Sequence, residues 1–265
     1  MAIGGGDRWS SGSDYESYVG RWSRLVAPEF LDWLAIPPGR RWLDVGCGTG
    51  ALTATILARG DPSSVLGVDP SADFVDAAAR MQTDRRARFS VAGAATLPVG
   101  DRSVDVVVSG LVLNFVPDIA AGLMEMRRAV VSGGTVAAYV WDYAGRMDLL
   151  RRFFDAAIAV DPDAAAHDEG IRFPICSPGP LQDAFEGAGF TAVDVQPIDV
   201  PTHFRDFEDY WAPFLGGVGP ASGYAVALDS ETQAALRERL RATLPTAADG
   251  SIDLIARAWA VHGRT

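Results

Sequence analysis

Lysine is absent from this 265-residue chain, so all 23 basic residues are arginines, and asparagine occurs once, as Asn114. Both absences read as genome base composition and carry no chemistry. Positive charge is scarce: 34 acidic residues give a formal net charge of −11. A nucleic-acid binder would show a basic stripe, so this balance argues against one and equally against docking on an anionic membrane surface. The two cysteines, Cys47 and Cys176, form no C-x-x-C pair, which excludes a disulfide framework and gives no zinc spacing. Only His167, His203 and His262 supply imidazoles, and no G-x-S-x-G elbow supports a serine nucleophile. No metal site is expected. No apolar run approaches the roughly 20 residues that span a bilayer. The start shows no basic stretch leading into an apolar one, so a cytoplasmic location is expected.

What is present is a rhythm. Up to Pro38 the chain is helical and amphipathic in tendency, and Pro37-Pro38-Gly39 stops it. Short apolar runs then follow at Trp42–Val45, Val65–Asp69, Arg88–Val91, Val104–Ser109, Thr135–Trp141, Ala192–Ile198 and Ile252–Val261. Helix-compatible stretches at Ala51–Arg59, Ala72–Met81 and Ile119–Val130 separate the early ones, and Pro178–Ala188 reads as a further helix closed by Gly189. Such alternation predicts an α/β fold with a doubly wound, mostly parallel, seven-stranded Rossmann-like sheet. One domain over residues 1–265 is expected, with a helical lid over 1–38 and a ligand-binding core over 40–141. The stretches 145–174 and 204–250 break the rhythm and are too long for plain loops, so both are expected to be ordered insertions. Ser230–Leu244 reads as a surface helix with Ser230 as its N-cap.

The most informative segment is Arg41-Trp42-Leu43-Asp44-Val45-Gly46-Cys47-Gly48-Thr49-Gly50. A strand runs into three glycines at alternate positions, and Ala51 opens a helix. Glycine permits positive φ and close approach of a ligand, while exposed N–H groups of the turn would favour a negative group. Asp69 ends the next strand, where a carboxylate can accept both ribose hydroxyls of an adenosine. The dinucleotide fingerprint G-x-G-x-x-G places its third glycine one residue later than this chain does.

Asp44-Val45-Gly46-x-Gly48-x-Gly50 resembles motif I of the class I S-adenosylmethionine-dependent methyltransferases, in their small-molecule (methyltransferase type 11-like) branch. Val65-Leu66-Gly67-Val68-Asp69-Pro70-Ser71 is similar to motif II, and Ala92–Pro98 to the adenine-contacting loop. Ser103–Ser109 with Leu113–Asp118, and Ala129–Thr135, resemble the fourth strand with its exit and the turn into the fifth. The adenine loop departs from the family in having Ala94 where an acidic residue is usual.

The resemblance implies S-adenosyl-L-methionine as cofactor, leaving as S-adenosyl-L-homocysteine. It implies cofactor contacts at Asp44, Gly46, Cys47, Gly48, Asp69, Pro70, Ala94, Ala95, Ser109, Leu111 and Asn114. Gly110 is placed beside the methionine part, and Cys47 reads otherwise as a small filler of the loop. A leading helix resembles a lid, with Tyr18 and Trp22 walling the sulfonium and Arg21 or Arg24 pairing the methionine carboxylate. Trp141, Tyr143, Trp211, Phe214 and Tyr224 are candidate acceptor contacts, since small-molecule pockets are mostly apolar. No general base is assigned; His167, His203 and Tyr18 are the candidates. The implied function is methyl transfer to a small, hydrophobic organic acceptor by in-line displacement. The alternative is a protein of the same fold that uses the bound cofactor for other chemistry or for regulation.

Overall fold

The structure is a computed structural model that describes residues 21–217 and 219–265. Helix α1 (Arg21–Leu34) leads into strand β1 (Arg41–Val45), followed by α2 (Ala51–Arg59), β2 (Ser64–Asp69), α3 (Ala72–Met81), β3 (Ala87–Val91) and β4 (Val104–Gly110). Next come α4 (Ile119–Ala129), β5 (Val130–Trp141), α5 (Asp148–Val160), α6 (Glu169–Arg172) and α7 (Pro178–Gly187). Strand β6 (Thr191–Phe204), α8 (Phe207–Trp211), α9 (Gly219–Ala227), α10 (Ser230–Thr243) and β7 (Ile252–Arg264) complete the chain. Among the described residues, no helix is long and apolar enough to cross a membrane.

The seven strands form one sheet in the order β3-β2-β1-β4-β5-β7-β6. Strands β1 to β5 pair in parallel. Strand β7 runs the other way, because Gly133 N donates to Thr265 O at 3.0 Å while Asp142 N donates to Arg257 O at 2.9 Å. The chain winds outward from β1 to β3 and then returns to β4 on the other side of β1. That reversal makes the carboxyl ends of β1 and β4 a topological switch point, where open α/β sheets bind ligands.

Local chemistry explains the elements. In β4, Val104, Val106, Val107 and Val108 are all buried, as expected for a strand covered on both faces. Ser71 caps α3 by accepting from Phe74 N, and Asp118 caps α4 by accepting from Ala121 N. Helix α10 is capped by Asp229 instead of Ser230. The Asp229 carboxylate accepts from both Glu231 N and Thr232 N, and its charge suits the positive end of the helix. Gly189, at φ +84°, follows the last turn of α7 as the expected left-handed stop. Strand β6 runs past the expected end at Ile198 to Phe204, keeping a strict alternation of exposed and buried residues.

The chain forms two compact units. One comprises Ser23–Val140, Ile175–Ile198 and Ala258–Thr265 and contains the parallel part of the sheet. The other takes in Trp141–Pro174 and Asp199–Arg257, together with Trp22. The two stretches expected as insertions are therefore helical and lie in this second unit. Its core is aromatic: Phe153 stacks on Phe214 with centroids 4.3 Å apart, and Trp211 and Tyr210 pack around them. Tyr210 Oη donates to Leu149 O at 3.0 Å, which satisfies a hydroxyl that is otherwise sealed from water. Arg151 donates to both oxygens of the buried Asp168, joining α5 to the start of α6.

Candidate functional site

The three glycines between β1 and α2 all adopt left-handed backbone: φ is +75° at Gly46, +53° at Gly48 and +90° at Gly50. A Cβ at Gly46 would fall inside the Val112 side chain, whereas one at Gly48 would meet nothing within 4 Å. Gly46 thus lets the loop lie against the segment after β4, and Gly48 borders open space. Leu111 is a non-glycine residue at φ +61°, held there by donating its N–H to Tyr139 O at 2.7 Å. Strain of this kind collects at ligand sites.

The loop's own N–H groups are mostly engaged, contrary to the sequence expectation that they await an anion. Gly46 N and Cys47 N both donate to Val68 O, at 2.7 and 2.9 Å, and Gly50 N donates to Cys47 O. Gly48 N donates to Asp69 Oδ2 at 3.0 Å, and Ser71 N donates to Asp69 Oδ1 at 2.9 Å. Asp69 therefore ties the glycine loop to the start of α3 as well as marking the end of β2. Its carboxyl is pushed above the usual carboxylate range, mainly by burial, against the pull of those two N–H groups.

Asp44 is fully buried, and burial raises its carboxyl to about 7, with the nearby Asp69 charge adding to the rise. Thr53 Oγ1 donates to Asp44 Oδ2 at 2.7 Å. Asp44 Oδ1 has no partner among the described residues, and neither do Ser109 Oγ and Asn114 Nδ2, all three being buried. Asp44 pairs in register with Val108, the neighbour of Ser109, and Asn114 follows the end of β4 by four residues. Buried polar groups are normally satisfied, so these three are groups whose bonding a ligand could complete. Two carboxylates beside a loop whose N–H groups are mostly engaged disfavour a phosphate and suit a cationic ligand. The residues present thus fit S-adenosylmethionine, which carries a sulfonium and an ammonium group.

Cys47 is buried in the loop, and burial pushes its thiol upward, so it serves as a small filler and not as a nucleophile. Pro70 is exposed after Asp69, and the loop holding Ala94 and Ala95 turns through Thr96 N donating to Gly93 O. Helix α4 steadies that loop: Glu125 Oε1 accepts from Leu97 N, and Arg128 donates to Val99 O, both at 2.9 Å. A Cβ added at Gly122 of α4 would come within 3.5 Å of the Ala94 methyl, and Ala94 offers no carboxylate. Thr53 is the site residue that sequence reasoning missed; a hydroxyl in the first turn after the glycine loop was the available sign.

The remaining predicted site residues lie elsewhere. Tyr18 is outside the described residues, and of Arg21 only its place at the start of α1 is described. Trp22, expected to wall the sulfonium, is buried with its ring edge-on to Phe204 at 5.4 Å. Trp141, Tyr143, Trp211, Phe214 and Tyr224 belong to the second unit and are all buried there. Trp211 and Phe214 pack against Phe153, and Tyr224 Oη donates to Asp161 Oδ2 at 2.9 Å. Aromatics that read as exposed are thus core side chains, because the short helices of this unit cover one another. His203 pairs with Asp253 on the surface, His167 is exposed beside the Tyr224 ring, and His262 packs on Trp33. Among the described residues, no group of three or more His, Cys, Asp or Glu could hold a metal ion.

Comparison with known proteins agrees with this geometry. Residues 43–138 match the family model described as a methyltransferase domain. A demethylmenaquinone methyltransferase of Roseiflexus sp. (strain RS-1) is 39% identical over 105 residues, which cover 39% of this chain and 44% of that protein. A trans-aconitate 2-methyltransferase of Methylobacterium radiotolerans is 33% identical over 140 residues, 53% of this chain and 52% of that protein. The chain thus spans about half the length of these curated relatives. Among solved structures, a putative methyltransferase from an antibiotic biosynthesis pathway of Anabaena variabilis superposes with a TM-score of 0.62 at 18% identity, covering 91% of this chain and 97% of that one. That likeness speaks to the fold. The match to the family model makes the stretch from Leu43 to Ala138 similar to a methyltransferase domain, and the glycine loop and the strand order lie within or around that stretch.

Proposed function

We propose that the chain binds S-adenosylmethionine beside the Gly46–Gly50 loop and passes its methyl group to a small organic acceptor. The observation that carries this reading is the trio of buried, unpartnered polar atoms, Asp44 Oδ1, Ser109 Oγ and Asn114 Nδ2, next to a loop whose N–H groups are mostly engaged. A dinucleotide would bring phosphates toward Asp44 and Asp69 and find few free donors, so the cationic cofactor is favoured. Bound there, the cofactor supplies a methyl carbon on a sulfonium, whose transfer leaves a neutral thioether.

Within this reading, Asp69 keeps lone pairs for ribose hydroxyls while its two accepted N–H bonds fix its orientation. Ser109 and Asn114 flank the methionine part, and the strained Leu111 backbone holds that turn close to it. A reaction with a neutral leaving group needs alignment more than proton transfer, and orientation alone contributes about 7–11 kcal/mol. No general base is required of His203, whose ring is already paired with Asp253.

The acceptor is proposed to be small and not a nucleic acid, because a net charge of −11 repels a phosphate backbone. The two curated relatives named above carry different acceptors in their names, which suits a shared cofactor core and an acceptor chosen by other segments. The aromatic stretch that suggested an apolar acceptor wall is core, and so it no longer argues for a hydrophobic acceptor. A cytoplasmic location goes with the reading. Titration calorimetry tests it: S-adenosylmethionine and S-adenosylhomocysteine should bind, and NAD should give no heat. Tight NAD binding without response to either adenosyl compound would overturn the proposal.

A further inference from the structure

Two threonines in α2 behave differently. Thr55 Oγ1 donates to Ala51 O at 3.0 Å, the usual bond of a helical threonine to the preceding turn. Thr53, fully buried, instead donates to Asp44 Oδ2 at 2.7 Å, across from the helix to the end of β1. The N-cap of α2 is Gly50, which has no side chain to offer the first turn. Asp44 accepts the Thr53 hydroxyl at Oδ2, while its Oδ1 has no partner among the described residues.

We infer that Thr53 is a positioning residue for the cofactor: its hydroxyl holds one Asp44 oxygen so that the other, Oδ1, faces the ammonium group of the methionine moiety. The inference rests on the cofactor reading above and adds to it a residue and a role. A carboxylate with one oxygen bonded and one bare is costly to bury, so the arrangement is sustained where a ligand donor completes it. A second carboxylate, Asp69, stands close enough to raise Asp44 further, and the Cys47 thiol faces the same pair. The missing partner is accordingly a cationic donor. The hydroxyl also opposes the effect of burial on Asp44, since hydrogen bonding from Thr53 lowers its proton affinity. Without it, Asp44 would keep its proton to higher pH and present a neutral face to the ammonium group.

The test compares two ligands that differ in the amino-acid part. S-Adenosylhomocysteine carries the ammonium group, and 5′-methylthioadenosine lacks it. Titration calorimetry of Thr53→Val should show S-adenosylhomocysteine bound about tenfold more weakly, the scale of one impaired charge-assisted hydrogen bond. Affinity for 5′-methylthioadenosine should stay within about twofold, a difference near 0.4 kcal/mol. The pH at which S-adenosylhomocysteine affinity reaches half its plateau should move upward in Thr53→Val, and Thr53→Ser should restore both affinity and profile. Should the valine variant fail to fold, Thr53→Ala offers the same comparison. Equal weakening for both ligands would mean that Thr53 only supports the fold and would overturn the inference, as would unchanged affinity for both. If Asp69→Ala loses S-adenosylhomocysteine while Thr53→Val does not, the inference fails and the cofactor reading stands. If the wild-type protein binds neither ligand, both fail.

Discussion

Replacing Gly46 or Gly48 by alanine introduces the same methyl group into one loop at two positions with opposite surroundings. Both residues have positive φ, +75° and +53°, so either alanine is forced into left-handed backbone at a cost of about 1–2 kcal/mol. At Gly46 the new Cβ would also meet Val112, with Cγ2 at 2.7 Å and Cβ at 2.8 Å, and such overpacking adds about 1–3 kcal/mol. At Gly48 nothing lies within 4 Å of the added atom. Gly46→Ala should therefore lose about 2–5 kcal/mol and Gly48→Ala about 1–2 kcal/mol. For a chain of this size each kcal/mol corresponds to about 2–4 °C in Tm. Binding should rank the other way relative to stability. The Gly48 methyl enters the space assigned to the cofactor, so a well-folded Gly48→Ala protein should lose about tenfold or more in S-adenosylhomocysteine affinity, about 1.4 kcal/mol. Thermal melting gives the first quantity and calorimetry the second. Equal melting temperatures for the two variants, or undiminished binding by Gly48→Ala, would refute the assignment of Gly46 to packing and Gly48 to the ligand.

Two further outcomes follow from the acidic pair. Asp69→Ala should weaken cofactor binding by about 1.5–3 kcal/mol, and it should also lower stability, because Gly48 N and Ser71 N lose their acceptor; unchanged affinity in a folded variant would remove Asp69 from the ribose site. Asp44 sits about 7 in the fold and near the ordinary carboxylate value when unfolded, so the folded state holds the proton more tightly. Stability without cofactor should consequently fall as pH rises from about 4 through about 7, and flatten above that. Denaturant unfolding across that range checks the slope, which Asp44→Asn should reduce, the raised Asp69 carboxyl contributing with the same sign; an unchanged slope in the variant would place the linkage elsewhere.

The strand-and-helix rhythm was legible because parallel strands buried on both faces are nearly continuous apolar runs, as in Val104–Val108. Where alternation and proline overlapped, reading was harder. The outer half of β6, from Asp199 to Phe204, contains Pro201 and charged Asp199, yet keeps strand geometry at the sheet edge. The glycine loop and Asp69 were legible since left-handed turns and strand-end carboxylates leave fixed spacings. The use of the loop's N–H groups was not, because Val68 O and Asp69 come from a neighbouring strand and no local pattern encodes them. The same holds for Thr53: its partner is nine residues back, across a turn. Burial of Trp211 and Phe214 was hidden for another reason. Sequence shows that a short helix has an apolar face, but not which side chains will cover it.

The strand order leaves β3 and β6 as the two outer rails of the sheet. Strand β3 has five residues, too few to offer much of a template. Strand β6 has fourteen and would expose a long row of unpaired backbone groups, the kind of surface on which a second chain can zip up. Pro197 and Pro201 interrupt that row. They are four residues apart, so their missing N–H groups fall on the same side, and a proline in a paired strand must turn that side away from its neighbour. The outer rail therefore lacks two donors in near succession, and an incoming strand would find acceptors without the matching donors needed for a continuous ladder. A long edge strand can thus close the sheet without inviting growth into fibres or stacked sheets.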